Sequence, residues 1–162
     1  MKTMEGKKVL ITGGLGFIGS NLARKCVKLG AKVTIFDCLD PRSGGNLYNI
    51  ADIAESVQVS YHNILDFDQV SQVVPEKDII FSCASSTSHA FSMREPWIDS
   101  DVNSKGVINL LEAVRRFNQK AKIVHLGALN KENYLISPQM KSIPNFPLTF
   151  IRPIKAFRKN TL

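Results

Sequence analysis

At 162 residues the chain has room for one domain and one substantial hydrophobic core. Its 44% apolar and 22% charged residues are ordinary for a globular protein, and no apolar run nears the roughly 20 residues that a membrane span needs. The net charge of +7 is spread along the chain, with modest clusters at Arg115–Lys122 and Arg152–Lys159 and no interleaved aromatics, so a solvated basic surface is expected and not a nucleic-acid interface.

The N-terminus, MKTMEGKK, is polar and runs into a strand, which gives no secretory signal. Cys26, Cys38 and Cys83 are odd in number and lack metal-ligand spacing, so reduced thiols in a cytoplasmic protein are expected.

The chain is organised around KVLITGGLGFIGSNL, Lys8 to Leu22. Val9, Leu10 and Ile11 read as a buried strand, and Gly13, Gly16 and Gly19 follow at spacing three before an amphipathic helix. A tight packing turn would carry the same glycines. With a strand before and a helix after, the pattern instead suits a pyrophosphate held by backbone N–H groups and the helix dipole. Leu22, Ala23, Cys26, Val27 and Leu29 repeat at helical spacing, and Gly30 stands where a helix-ending glycine would. KVTIF, Lys32 to Phe36, is the second strand, and Asp37 ends it 18 residues beyond Gly19. An acid near 20 residues accepts both ribose hydroxyls of NAD and repels a 2′-phosphate, so NAD is favoured over NADP, with Arg42 nearby keeping NADP open.

Pro41 to Asn46 reads as a loop, Leu47 to Ala54 as a short helix and Val57 to Tyr61 as a third strand. Asp66 to Val74 reads as a helical crossover stopped by Pro75, and the apolar run Ile79 to Ala84 as a central parallel strand. The polar loop SSTSH follows at the strand end where ligands of open α/β sheets sit. Asp99 or Ser100 is placed to cap a long helix through Val114. Ile123 to Leu126 and Leu148 to Ile151 complete six strands. The alternation predicts an α/β fold with a doubly wound parallel sheet (Rossmann fold), one domain over 1–162.

TGGLGFIGSNLA at Thr12–Ala23, Phe36-Asp37 and DVNSKGVINLLEAVR at Asp101–Arg115 together resemble the extended short-chain dehydrogenase/reductase family. Within it they are similar to the NAD-dependent nucleotide-sugar epimerases and dehydratases, and FDCLDPRSGGNL resembles the CDP-paratose and CDP-tyvelose epimerase branch. The resemblance implies NAD as cofactor. It places Gly13, Gly16, Phe17, Ile18 and Gly19 around the pyrophosphate and Asp37 on the adenosine ribose. Asn63 and Ile64 stand where the family has an Asp-Ile pair against adenine, and the amide oxygen can still accept from the adenine amino group. Cys83, Ala84 and Ser85 would line the nicotinamide-side ribose, and Asn103 would bridge nearby backbone and the cofactor.

The same resemblance implies a Tyr-x-x-x-Lys pair and a Ser or Thr after the fifth strand. Tyr48, Tyr61 and Tyr134 are followed four residues on by Asp52, Leu65 and Pro138, and the Ser/Thr slot falls on Gly127 or Ala128. Only 25 residues separate Gly127 from Arg152-Pro153, which resembles the family's sixth-strand motif. Residues 128–147 therefore read as an irregular replacement for the catalytic loop and helix, and no catalytic residue is assigned. The family's C-terminal substrate lobe is also missing, so a nucleotide sugar is expected to bind only if such a lobe is supplied elsewhere. The dimer that the family builds on the Asn103 helix and the catalytic helix should be weakened or lost.

Three functions follow: an NAD-binding domain with little or no turnover, a fragment of an active epimerase or dehydratase, or a structural remnant that binds nothing. The glycine turn together with Asp37 speaks against the third, and the missing catalytic groups and lobe speak against the second, so NAD binding with little or no turnover is expected.

Overall fold

The computed structural model describes residues 4–127. The strand expected at Leu148–Ile151 and the segment 128–147 lie outside the described residues. The chain divides into two compact units, Met1–Ile123 and Val124–Leu162. The last two residues of one strand aside, the architecture below is that of the first unit.

Five strands form one sheet in the order β3-β2-β1-β4-β5. They are β1 (Lys8–Thr12), β2 (Lys32–Asp37), β3 (Val57–Tyr61), β4 (Ile79–Ser82) and β5 (Lys122–His125). β1 pairs in parallel with both β2 and β4, so Thr12 has Phe36 on one side and Ser82 on the other. β3 pairs in parallel with β2 and puts Tyr61 beside Asp37. This is the expected doubly wound α/β sheet, with the strand order reversing direction beside β1.

Strand side chains alternate between faces, and that alternation builds two cores. On one face Val9, Ile11, Val33 and Ile35 pack with Ala23 and Cys26 of α1 (Phe17–Lys28) and with Ile50 and Ile53 of a 3₁₀ segment, Leu47–Ser56. On the other, Leu10, Phe36 and Ile80 pack with Val70 of α2 (Phe67–Val73) and with Leu110, Ala113 and Val114 of α5 (Gly106–Phe117).

Several ends are set by local chemistry. Asp66 caps α2, its carboxylate accepting from the N–H groups of Asp68 and Gln69. Gly30, at φ +88°, follows the end of α1. Its N–H donates to Val27 O while Ala31 N–H donates to Cys26 O, the paired bonds of a Schellman motif. Asn118 closes the end of α5, its Nδ2 donating to Val74 O and Lys77 O at 2.9 Å each.

The structure corrects four expectations. α1 begins at Phe17, before the third glycine, because its first intrahelical bond already runs from Ser20 N–H to Gly16 O. β4 ends at Ser82: Cys83 N–H is shared between Thr12 O and the Thr12 hydroxyl, and Ala84 N–H donates to that hydroxyl alone. β5 starts one residue early, at Lys122, whose N–H donates to Asp78 O.

The fourth concerns Asp99 and Ser100, which cap nothing. They end α4 (Pro96–Ser100), whose helical backbone continues through a π turn, Asp101–Lys105, into α5. A shorter helix, α3 (His89–Arg94), precedes α4 and is capped by Ser88.

Leu110 is fully buried in the second core. Leu110→Ala is expected to cost about 2–5 kcal/mol, seen as a lower urea midpoint with an unchanged slope.

Candidate functional site

At the C-terminal ends of β1 to β4 lies an open cleft of about 370 Å³, in the size range of small-ligand sites. Its floor is the turn after β1. Gly13 adopts φ +67°, and a Cβ there would come within 2.7 Å of Ala84 N and Cα. A Cβ on Gly19 would strike the carbonyl oxygen of Gly13 and come within 2.7 Å of Gly14 Cα. These two positions leave room for backbone only. Gly16 starts α1 without a side-chain cap, so the first N–H groups of that helix lack both intrahelical and side-chain acceptors.

Asp37 reaches the same place from the end of β2. Its Oδ2 accepts from Leu15 N–H at 3.0 Å and its Oδ1 from Leu39 N–H at 2.9 Å. A carboxylate offers about four acceptor positions, so each oxygen keeps one for a ligand.

The wall after β4 depends on Thr12, which is buried. Its Oγ1 accepts from Cys83 N–H at 3.2 Å and Ala84 N–H at 3.3 Å. Ser86 is held from the π turn: Asn103 Oδ1 accepts from Ser86 N–H at 2.9 Å and Nδ2 donates to Ser86 O at 3.1 Å and to Asp99 Oδ2 at 3.2 Å. One extra residue in a helical turn rotates the faces that follow by about 100°. Ile98 before the π turn and Val102 within it line the cleft, while Leu110 and Val114 beyond it pack in the core.

Of the residues expected at the site, Gly13, Gly16, Phe17, Ile18, Gly19, Asp37, Asn63, Ile64, Cys83, Ala84 and Ser85 are brought together along the cleft. Asn103 is not among the lining residues and meets the cleft through Ser86, which it holds by two hydrogen bonds. The side-chain oxygen of Asn63 is already engaged by Leu65 N–H at 2.9 Å. One lone pair remains open on it.

Sequence reasoning missed several positioning groups. Besides Thr12, Asn49 donates to Leu15 O at 2.7 Å, and Asn109 donates to Ile64 O and Leu65 O at 3.0 Å each. A carboxamide on or beside a helix's buried stripe was the available signal, and it says nothing of which loop is held. The pair Asp40–Arg42, also on the cleft, was visible only as an arginine near Asp37.

The sequence pattern of the GDP-mannose 4,6 dehydratase family matches residues 10–129. The chain belongs to this family. Similar proteins include CDP-paratose 2-epimerase of Salmonella typhi, 31% identical over 73% of this chain and 36% of that protein. Among solved structures, epimerase Mth375 of Methanothermobacter thermautotrophicus shares 32% identity, with a TM-score of 0.67 over 75% of this chain and 35% of that one. UDP-glucose 4-epimerase of Thermus thermophilus, solved in complex with NAD, shares 30% identity, with a TM-score of 0.62 over 72% of this chain and 36% of that one. The chain therefore spans about a third of the length of the relatives it matches. It corresponds to the N-terminal, dinucleotide-binding region of nucleotide-sugar epimerases and dehydratases. No helix among the described residues is long and apolar enough to cross a membrane.

Burial pushes the Cys83 thiol up to about 12. Burial also raises Cys38, and the nearby Asp37 and Asp40 carboxylates add to it. The folded state thus favours the neutral thiol at 83. Its contribution to stability is present below the unfolded value near 8.5–9 and is lost as pH climbs toward 12. Urea midpoints are expected to fall progressively above pH 9, and Cys83→Ser should flatten that fall. Asn103→Ala should speed amide exchange at Ser86 and cost about 1 kcal/mol, while exchange in β1 stays slow.

Proposed function

We propose that these 162 residues bind NAD, in preference to NADP, and by themselves turn over little or no substrate. The observation that carries the reading is the Asp37 carboxylate, tied to the glycine turn yet keeping acceptor positions for two ribose hydroxyls. Gly13, Gly16, Phe17, Ile18 and Gly19 would take the pyrophosphate on backbone N–H groups at the start of α1. Asn63 and Ile64 would hold adenine, and Cys83, Ala84 and Ser85 the second ribose, with Asn103 keeping their loop in place. The backbone-only cradle at Gly13 and Gly19 fits a group that must approach main chain closely. The NAD complex of the related Thermus thermophilus epimerase supports the same choice.

Bound NAD would supply a hydride acceptor and donor. What this chain's residues do is bind and orient it. The proposal of little turnover rests on the sequence, where no tyrosine has a lysine four residues on. A second reading is favoured by the chain matching only 36% of the length of CDP-paratose 2-epimerase. In it, these residues are the cofactor-binding part of a longer enzyme whose other residues hold the nucleotide sugar.

NAD at 100 times its dissociation constant should stabilise the fold by about 2.7 kcal/mol, read as a raised thermal midpoint. Asp37→Ala should weaken NAD by about tenfold or more, through the lost charge-assisted hydrogen bonds. No midpoint shift at millimolar NAD removes the binding claim. Turnover of UDP-, CDP- or dTDP-sugars above background by these 162 residues removes the claim of inactivity.

A further inference from the structure

We infer that Asp40 is a specificity-determining residue, which holds the Arg42 guanidinium in a closed pair and so denies a dinucleotide 2′-phosphate its cationic partner. The inference rests on the proposed NAD site and extends it to a residue outside the glycine turn and Asp37. Arg42 is the one lysine or arginine among the described residues lining the cleft. Of the lining's side chains, it alone carries a permanent positive charge, while His62 also faces the cleft.

Arg42 is already committed. Its Nε donates to Asp40 Oδ1 at 2.8 Å and its Nη2 to Asp40 Oδ2 at 2.6 Å, a planar two-bond pairing of the kind an arginine would otherwise offer a phosphate. The backbone reinforces it: Arg42 N–H donates to Asp40 Oδ1 at 2.9 Å, and Ser43 N–H and Oγ donate to Asp40 O at 2.9 and 2.8 Å. The far side of the guanidinium lies over the Phe91 ring, 5.0 Å from its centroid. Arginine, ring and carboxylate thus form a clasp between the loop after β2 and α3.

Charge makes the clasp selective. The loop carrying Asp40 folds back on Asp37, close enough that a Cβ on Gly45 would lie 3.4 Å from Asp37 Oδ1. A 2′-phosphate there meets two carboxylates and one arginine that is already neutralised. NAD asks only for hydrogen-bond acceptors, which Asp37 keeps. The pair is also breakable, because both side chains are partly exposed, Arg42 at 50% and Asp40 at 28%. Removing the Asp40 charge should free Arg42, while an asparagine oxygen can still accept the loop's N–H.

The test measures dissociation constants of NAD and NADP by calorimetry at one fixed ionic strength. It compares the natural chain with Asp40→Asn, Arg42→Ala and the double variant Asp40→Asn/Arg42→Ala. The natural chain should prefer NAD, and Asp40→Asn should narrow that preference about tenfold through tighter NADP binding. The double variant should return to the original preference, which separates release of Arg42 from simple loss of a negative charge. Arg42→Ala alone should not tighten NADP, since the Asp40 carboxylate that it leaves unpaired still repels the phosphate.

An unchanged ratio in Asp40→Asn, a double variant that keeps the gain, or tighter NADP binding by Arg42→Ala overturns the inference while NAD binding stands. If Asp40→Asn fails to fold, Asp40→Ser takes its place in the same comparison. A natural chain that binds neither dinucleotide removes the NAD reading, and this inference with it.

Discussion

The Asp37 carboxylate, accepting from Leu15 N–H on one oxygen and Leu39 N–H on the other, is the interaction on which the cleft depends. It ties the glycine turn after β1 to the end of β2 and starts the loop that carries Asp40 and Arg42. A buried carboxylate holding two backbone donors is stable only where those donors satisfy it. The same group then faces the ligand side with unused acceptor positions. One side chain therefore shapes the turn and selects the chemistry that can approach it.

Around that point, backbone is positioned by short polar side chains anchored on helices and strand ends. Thr12 holds Cys83 and Ala84, Asn49 holds Leu15, Asn103 holds Ser86, and Asn109 holds Ile64 and Leu65. Each of these stretches at the C-terminal edge of the sheet is tied to an element that is itself packed against a core. This gives a binding surface made largely of main chain the rigidity of its scaffold. The π turn at Asp101–Lys105 serves the same end, since it turns Asn103 toward Ser86 while α5 keeps its apolar stripe on the sheet.

Much of this was legible in the residues. The apolar runs at Val9–Ile11, Lys32–Phe36 and Val57–Tyr61 became strands, and Asp66, Pro75 and Gly30 punctuated helices as their chemistry requires. The glycine spacing and Asp37 located the cleft, because a φ of +67° and a backbone-only contact at Gly13 can be met only by glycine. Asp99 and Ser100 misled because good capping residues are also tolerated inside a helix whose backbone continues. The start of α1 was placed late because Gly19 is a poor helix former; contact with Gly13, not propensity, decides that residue.

By itself, the sequence determined the fold class, the order of the elements and the glycine turn that floors the cleft. Those features follow from local rules: side-chain periodicity, caps, and the lack of a Cβ where backbone must pass backbone. Only the tertiary structure decided which distant groups meet. Leu15 N–H finds Asp37 across 22 residues, Ser86 finds Asn103 across 17, and Arg42 lies over Phe91 while its charge is spent on Asp40. A carboxylate or an amide can serve many partners, and its partner is fixed only when packing of the two cores brings strand ends and helix turns to one edge of the sheet.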